Sequence, residues 1–262
     1  KLSAAGVRML RLAERILPEI DALEDEFRAL RSGRAVLAGV LIGCLTLKPQ
    51  LGLMIPVALL AAGQWRAILA AAVTSLLLAA LPTLIVGPEY WHLLSERLAQ
   101  HADRMVNQIE DLYLTVGTFY FMSMLGLAPS VALVVQWVVL ALAVLSVFLF
   151  WRSDRISFDA KAALLLVAIL ISAPYLWYYE AAMMAAIGLF MLRAGILGPR
   201  PLHIGLLLLL WIGAGLQSLD LVIRSIDDRY LGALIVTPVL CICLFLCWGH
   251  YARPPKPQAS LA

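Results

Sequence analysis

Charge is scarce in this sequence. Only 14% of its 262 residues are Asp, Glu, Lys or Arg, against 63% apolar. A soluble domain carries about a quarter charged and about half apolar residues. A chain with so few polar side chains has no means of hiding its apolar surface from water, and a mean hydropathy of +0.91 agrees. A water-soluble globular fold is therefore excluded, and the bilayer, itself an apolar solvent, remains. Excess basic charge is lacking too. The net charge is +3, and the arginines lie scattered between apolar runs, so no basic face forms for nucleic acid. Cysteine is confined to Cys44, Cys241, Cys243 and Cys247, all inside apolar runs. The C-x-C-x-x-x-C spacing fits no zinc pattern, and no histidine stands at the needed offset. These cysteines read as small apolar residues facing lipid or core, and neither disulfide, metal nor cofactor is expected. No Walker motif and no G-x-G-x-x-G occurs, which argues against a nucleotide-driven pump. The alternation of a β-barrel is missing, as is a transporter-type internal repeat. The first residue is Lys1, with no signal-peptide pattern behind it.

The sequence is rich, instead, in long apolar runs. They cover 35–47, 51–63, 66–86, 130–150, 160–173, 178–194, 202–219 and 230–248. Backbone polar groups in lipid must be satisfied within the segment, so these runs predict helices. The expected fold is all-α: a polytopic transmembrane helical bundle of about eight spans plus interfacial helices, occupying residues 34–250. Segment 113–126 is short and rich in Gly, Thr and aromatics, and is expected to be re-entrant or interfacial. Residues 1–33 place Ile16, Ile20, Leu23, Phe27 and Leu30 on one helical face, interrupted by Glu24, Asp25 and Glu26. This reads as an amphipathic helix on the cytoplasmic membrane surface or a coiled-coil arm. Residues 251–262 form a cytoplasmic tail. With both termini in the cytoplasm, most of the 20 basic residues fall on that side, as the positive-inside rule requires. The predicted localisation is thus a multi-pass protein of the cell (plasma or inner) membrane. The tip at Lys48-Pro49-Gln50, the loop 87–112, the tip at 174–180 and the loop with Asp220, Asp227 and Asp228 then share the extracytoplasmic side.

Two of these tips carry candidate chemistry. The helices around L-T-L-K-P-Q-L-G (45–52) are each about 13 residues long, or roughly 20 Å, against a hydrocarbon core of about 30 Å. The turn should stop below the outer surface, with Pro49 breaking the helix and Lys48 placing a cation where charge is expensive. Taken alone, Lys48 is equally a side chain snorkelling to the interface. The second tip shifts the balance. Helix 160–173 is also short and ends in S-A-P-Y-L-W-Y-Y-E (172–180), where aromatic residues lead directly to Glu180. An aromatic belt accounts for Tyr and Trp but not for a carboxylate entering an apolar run. Opposite charges on two proline-broken tips suggest a shared polar cavity. A lysine suits a phosphate, whereas aromatic faces and a carboxylate suit a sugar. In loop 87–112, Trp91, Leu94, Leu98 and Ala102 recur helically, predicting an interfacial helix, and His92 and His101 read as solvated loop residues.

The run R-A-V-L-A-G-V-L-I-G-C-L-T-L-K-P-Q-L-G-L-M-I-P-V-A-L-L-A-A-G-Q-W-R-A (34–67) closely resembles glycosyltransferase family 87 of the membrane-embedded GT-C class. G-P-E-Y-W (87–91) and L-I-S-A-P-Y-L-W-Y-Y-E-A-A-M-M (170–184) are also similar to it. The resemblance implies a hexosyltransferase of the cell envelope, in the first place a mannosyltransferase, taking its sugar from polyprenyl-phosphate-mannose on the extracytoplasmic side. Its partners would be that donor, a lipid or glycan acceptor and the bilayer, without nucleic acid. It further implies Lys48 and Gln50 on the donor-phosphate side, and Tyr175, Trp177, Tyr178, Tyr179 and Glu180 on the sugar or acceptor side. The family's key aspartate belongs to a first extracytoplasmic loop that should precede residue 34. No such loop precedes it here, so the catalytic residue is unknown and the chain is expected to lack the family's N-terminal part. The Gly-Gln pair usual before the KPQ block is absent, and Glu180 stands where Asp is expected. Two alternatives remain: a truncated non-catalytic family remnant, and a transporter or flippase for a lipid-linked sugar.

Overall fold

A computed structural model describes residues 33–107, 115–223 and 231–252 of the chain. Helix α1 covers 33–43 and tightens into a 3-10 turn, Cys44–Leu47. Two short helices follow, α2 (Pro49–Gly52) and α3 (Ile55–Ala61). Helix α4 (Trp65–Val86) ends at Gly87, whose φ of 99° is a conformation that only glycine adopts readily. Next come α5 (Glu89–Asn107), α6 (Thr118–Met124) and α7 (Pro129–Arg152). Helix α8 (Phe158–Ser172) starts where the Ser157 side chain accepts the Ala160 N–H, with Asp159 in the first turn. It stops before Pro174, because a residue preceding proline is driven out of the helical region and Ala173 is extended. A 3-10 turn (Tyr178–Met183), α9 (Met184–Arg193), α10 (Pro201–Ile223) and α11 (Leu231–Tyr251) complete the described order. The described residues are helical throughout, apart from turns and a single bridge between Thr115 and Trp177.

The core lies around α8, which is buried along most of its length and packs against α7, α9 and α11. Leu164, Val167, Leu170, Val147, Ile187, Met191, Val236 and Leu240 interlock there, and Cys243 and Cys247 belong to the same core. Cys44 and Cys241 are exposed. The α4 helix is the opposite case. Only Ala67 is buried, and Leu76, Leu84 and Ile85 stand exposed. Its apolar surface is of the kind that a bilayer solvates.

What ties α4 to the rest is a close helix crossing. A Cβ on Gly43 would lie 2.5 Å from the Thr74 Cβ and 2.7 Å from the Ala71 carbonyl oxygen. A Cβ on Gly39 would run into the Ala67 carbonyl oxygen and lie 2.7 Å from the Ala70 Cβ. Gly39-Val-Leu-Ile-Gly43 is thus a G-x-x-x-G face that lets two backbones meet. The Thr46 hydroxyl donates to the Gly43 carbonyl at 2.7 Å and lies 2.7 Å from the Ser75 hydroxyl, whose contact fastens the same crossing.

The all-helical membrane architecture holds, but eight spans do not appear among the described residues. Three helices are long and apolar enough to cross a bilayer: Trp65–Val86, Pro129–Arg152 and Gly232–Tyr251. The expected spans at 35–47 and 51–63 are cut short by Lys48-Pro49 and form the shorter apolar helices Gly33–Leu47 and Pro49–Ala61. The span expected at 178–194 opens as a 3-10 turn, leaving ten residues of α-helix, and 160–173 gives the 15-residue α8. A 15-residue helix rises about 22 Å, short of the hydrocarbon thickness. The helix expected in 87–112 is α5, and the stretch left open at 113–126 contains the short α6. The N-terminal amphipathic helix, residues 253–262 of the tail, and Asp227 and Asp228 all lie outside the described residues.

Candidate functional site

The first turn follows from its proline. Pro49 occupies the first position of α2, and Lys48 before it leaves the helical region with φ −138° and ψ 74°. The turn satisfies its own backbone: the Lys48 N–H bonds to the Leu45 carbonyl at 2.8 Å, and the Lys48 carbonyl accepts the Leu51 N–H at 3.1 Å. The side chain is therefore free to reach outward, and it reaches the second turn. The Lys48 ammonium donates to Glu180 Oε1 at 3.1 Å and to the Tyr179 hydroxyl at 3.3 Å, and sits 4.5 Å from the centroid of the Tyr179 ring. The Gln50 amide Nε2 lies 3.5 Å from the same carboxylate oxygen. Residues 132 positions apart in sequence thus meet in one ion pair.

The pair is asymmetric. The Glu180 side chain is 2% exposed and that of Lys48 is 43% exposed. A carboxylate so enclosed is tolerable only when its lone pairs are filled. The second oxygen, Oε2, accepts the Trp177 N–H at 3.0 Å.

The turn 173–177 that carries Glu180 rests on residues 115–119. Breaking α8 at Pro174 orphans the carbonyls of its last turn. The Thr118 hydroxyl donates to the Ile171 carbonyl at 2.9 Å, and the Gln136 amide donates to the Ser172 carbonyl at 2.9 Å. Further on, the Val116 N–H donates to the Leu176 carbonyl at 2.7 Å. Gly117 permits the approach, since a Cβ there would come within 3.3 Å of the Ala173 carbonyl oxygen and the Leu176 nitrogen. Gln136 also accepts the Phe119 N–H at 3.1 Å, so both ends of its amide are satisfied.

The remaining sequence-derived candidates surround this pair to different degrees. Tyr179 is half exposed, and its ring lies against Trp177 (centroids 6.2 Å apart, 20° between planes) and Tyr178 (5.6 Å, edge-on). Tyr178 and Trp177 are partly buried. Tyr175 points elsewhere, meeting the ring of His101 edge-on at 5.0 Å. His101 is therefore a partly buried contact to the tyrosine turn and not the solvated loop residue expected, whereas His92 is exposed. Gln136 and Thr118 had no place in the sequence reading. The available signal was a lone carboxamide deep inside the apolar run 130–150, where polar groups are expensive. Among the described residues, no three His, Cys, Asp or Glu side chains gather as a metal site would require.

The arrangement combines a partly open cation, an amide beside it, an enclosed carboxylate and a half-exposed tyrosine ring flanked by partly buried aromatics. These groups suit binding an anion and a polyhydroxylated ring side by side. The sequence model of glycosyltransferase family 87 matches residues 26–176, more than half of the chain. That stretch contains the lysine turn and the scaffold of the second turn, and ends four positions before Glu180. No curated protein and no solved structure matches the chain significantly. By the extent of the family match, with the apolar helices and the lysine turn it encompasses, the chain belongs to glycosyltransferase family 87, a family of membrane glycosyltransferases.

Proposed function

We propose that the protein transfers a hexose, in the first place mannose, from a polyprenyl-phosphate carrier to a lipid or glycan acceptor on the extracytoplasmic face of the membrane. Lys48 and Gln50 hold the donor phosphate. Trp177, Tyr178, Tyr179 and Glu180 line the place of the sugar or acceptor, and Tyr175, turned to His101, stands outside it. The observation carrying this reading is the 3.1 Å pair between a half-open ammonium and an enclosed carboxylate at the meeting of two proline-broken turns.

In the reaction, an acceptor hydroxyl attacks the anomeric carbon with inversion. The bond from that carbon to the phosphate oxygen breaks, and its electron pair leaves with polyprenyl phosphate. A carboxylate takes the acceptor's proton. The charge that grows on the phosphate is where an ammonium does most good, because it is worth more in a site poor in water than in solution. Glu180, its second oxygen fixed by the Trp177 N–H, orients Lys48. The aromatic rings offer apolar faces to the apolar face of a pyranose.

The test uses membranes containing the full-length protein, radiolabelled polyprenyl-phosphate-mannose and an extract of cell-envelope acceptors. A labelled product is expected from wild type and none from Lys48→Ala at equal membrane levels. Full activity in Lys48→Ala refutes the phosphate assignment. Movement of the intact donor across the bilayer without product formation identifies a flippase instead.

A further inference from the structure

Gln136 stands in an otherwise apolar stretch of α7 and is 3% exposed. A carboxamide in such surroundings is costly unless both its ends are paired. Here its partners are two groups that helix geometry leaves orphaned. The Phe119 N–H belongs to the first turn of α6, and the Ser172 carbonyl ends α8 just before the proline break. One side chain thus joins the start of one helix to the end of another. From this joint the order runs outward in short steps. Val116, three residues before Phe119, donates to Leu176, four residues after Ser172. Trp177, the next residue, donates its N–H to Glu180 Oε2, and Glu180 Oε1 faces Lys48.

We propose that Gln136 is a positioning residue for Glu180: by bonding Phe119 and Ser172 together it fixes the register of the 172–180 turn, and so brings the carboxylate to Lys48. The inference rests on the transfer reaction proposed above, and also makes a geometric claim independent of it. Gln136 lies behind the site, packed in the bundle, and acts through another residue.

Two variants of the full-length protein test it. Gln136→Leu removes both hydrogen bonds at similar volume. Gln136→Glu keeps an acceptor for the Phe119 N–H and, as a neutral carboxylic acid in these apolar surroundings, a hydroxyl that can donate to Ser172. Leaving buried backbone groups unpaired at the joint is expected to lower kcat/KM for transfer by about tenfold to a hundredfold in Gln136→Leu, and by less in Gln136→Glu. In a Glu180→Gln background the Gln136→Leu change should cost little more, because the residue it positions is already disabled. Losses that multiply in full place the role of Gln136 elsewhere and overturn the inference. A second readout needs no activity. With the native cysteines changed to alanine, Lys48→Cys and Tyr179→Cys are linked by a short bis-maleimide, and the yield reports the spacing of the two turns. The yield should drop severalfold with Gln136→Leu, the variant that decides this readout, and less with Gln136→Glu. An unchanged yield overturns the inference whether or not transfer is seen, whereas a wild type without transfer sinks only the proposed reaction. If Gln136→Leu gives no monodisperse protein, Gln136→Met, which also lacks both hydrogen bonds, takes its place in both readouts.

Discussion

Replacing Gly43 by alanine tests the helix crossing that carries the lysine turn. The added methyl would sit 2.5 Å from the Thr74 Cβ and 2.7 Å from the Ala71 carbonyl oxygen, where real Cβ contacts are essentially never under 3.0 Å. Neither atom is the end of a flexible side chain, so α1 and α4 must move apart by about 1 Å to restore ordinary van der Waals spacing. A gap of that size forfeits about a quarter to a half of the dispersion energy at each contact along the crossing. It also stretches the two contacts of the Ser75 hydroxyl that span the crossing, to Thr46 and to the Gly43 carbonyl. Overpacking of this kind costs about 1–3 kcal/mol, and the helix propensity gained by alanine returns up to about 1 kcal/mol. A net loss of about 1–2 kcal/mol should lower the melting temperature of detergent-solubilised protein by about 2–8 °C. The control is Gly205→Ala in α10, where an added Cβ meets nothing within 4 Å and propensity alone should leave stability equal or slightly higher. Gly43→Ala melting at or above wild type refutes the crossing.

Glu180→Gln keeps the shape and the Trp177 hydrogen bond but removes the charge facing Lys48; transfer should fall at least tenfold, and unchanged kinetics would reduce Glu180 to a packing role. Lys48→Ala should lower the melting temperature more than Glu180→Gln, because it strands an enclosed carboxylate, and the double variant should recover part of that loss; a double variant less stable than Lys48→Ala contradicts the pairing. Tyr179→Phe retains the ring under the ammonium and loses the hydroxyl, so its activity should fall between those of wild type and Tyr179→Ala; equal loss in both variants removes the role of the ring.

Much of the site was legible because proline and charge leave marks in sequence. Pro49 and Pro174 each end a helix for local steric reasons, and Lys48 and Glu180 are conspicuous in apolar surroundings. Their contact follows from the simple need of two charges in a poorly solvating medium. The number of spans was less legible. Hydropathy marks an apolar segment but does not distinguish a lipid-crossing helix from a core helix such as α8, buried by its neighbours. The support beneath the second turn escaped for a different reason. Gln136 bonds to Phe119 and Ser172 across 17 and 36 positions, and a sequence does not say which distant backbone groups an amide will find. His101 was misread on similar grounds, since its partner Tyr175 lies far along the chain and offers no spacing to recognise. Gly39 and Gly43 were readable in principle as G-x-x-x-G, but their partner face on α4, made of Ala67, Ala70, Ala71 and Thr74, is defined only once the helices cross.

The 132 positions between lysine and glutamate set a timetable for biogenesis. At about 5–20 residues per second, the ribosome delivers the cation roughly ten seconds before its counter-ion exists. During that interval the nascent hairpin of α1 to α3 must keep an uncompensated ammonium near headgroups or the translocation channel, since the oily interior would not accept it alone. The ion pair that holds the hairpin to the second turn therefore forms only once the second half of the chain has been made.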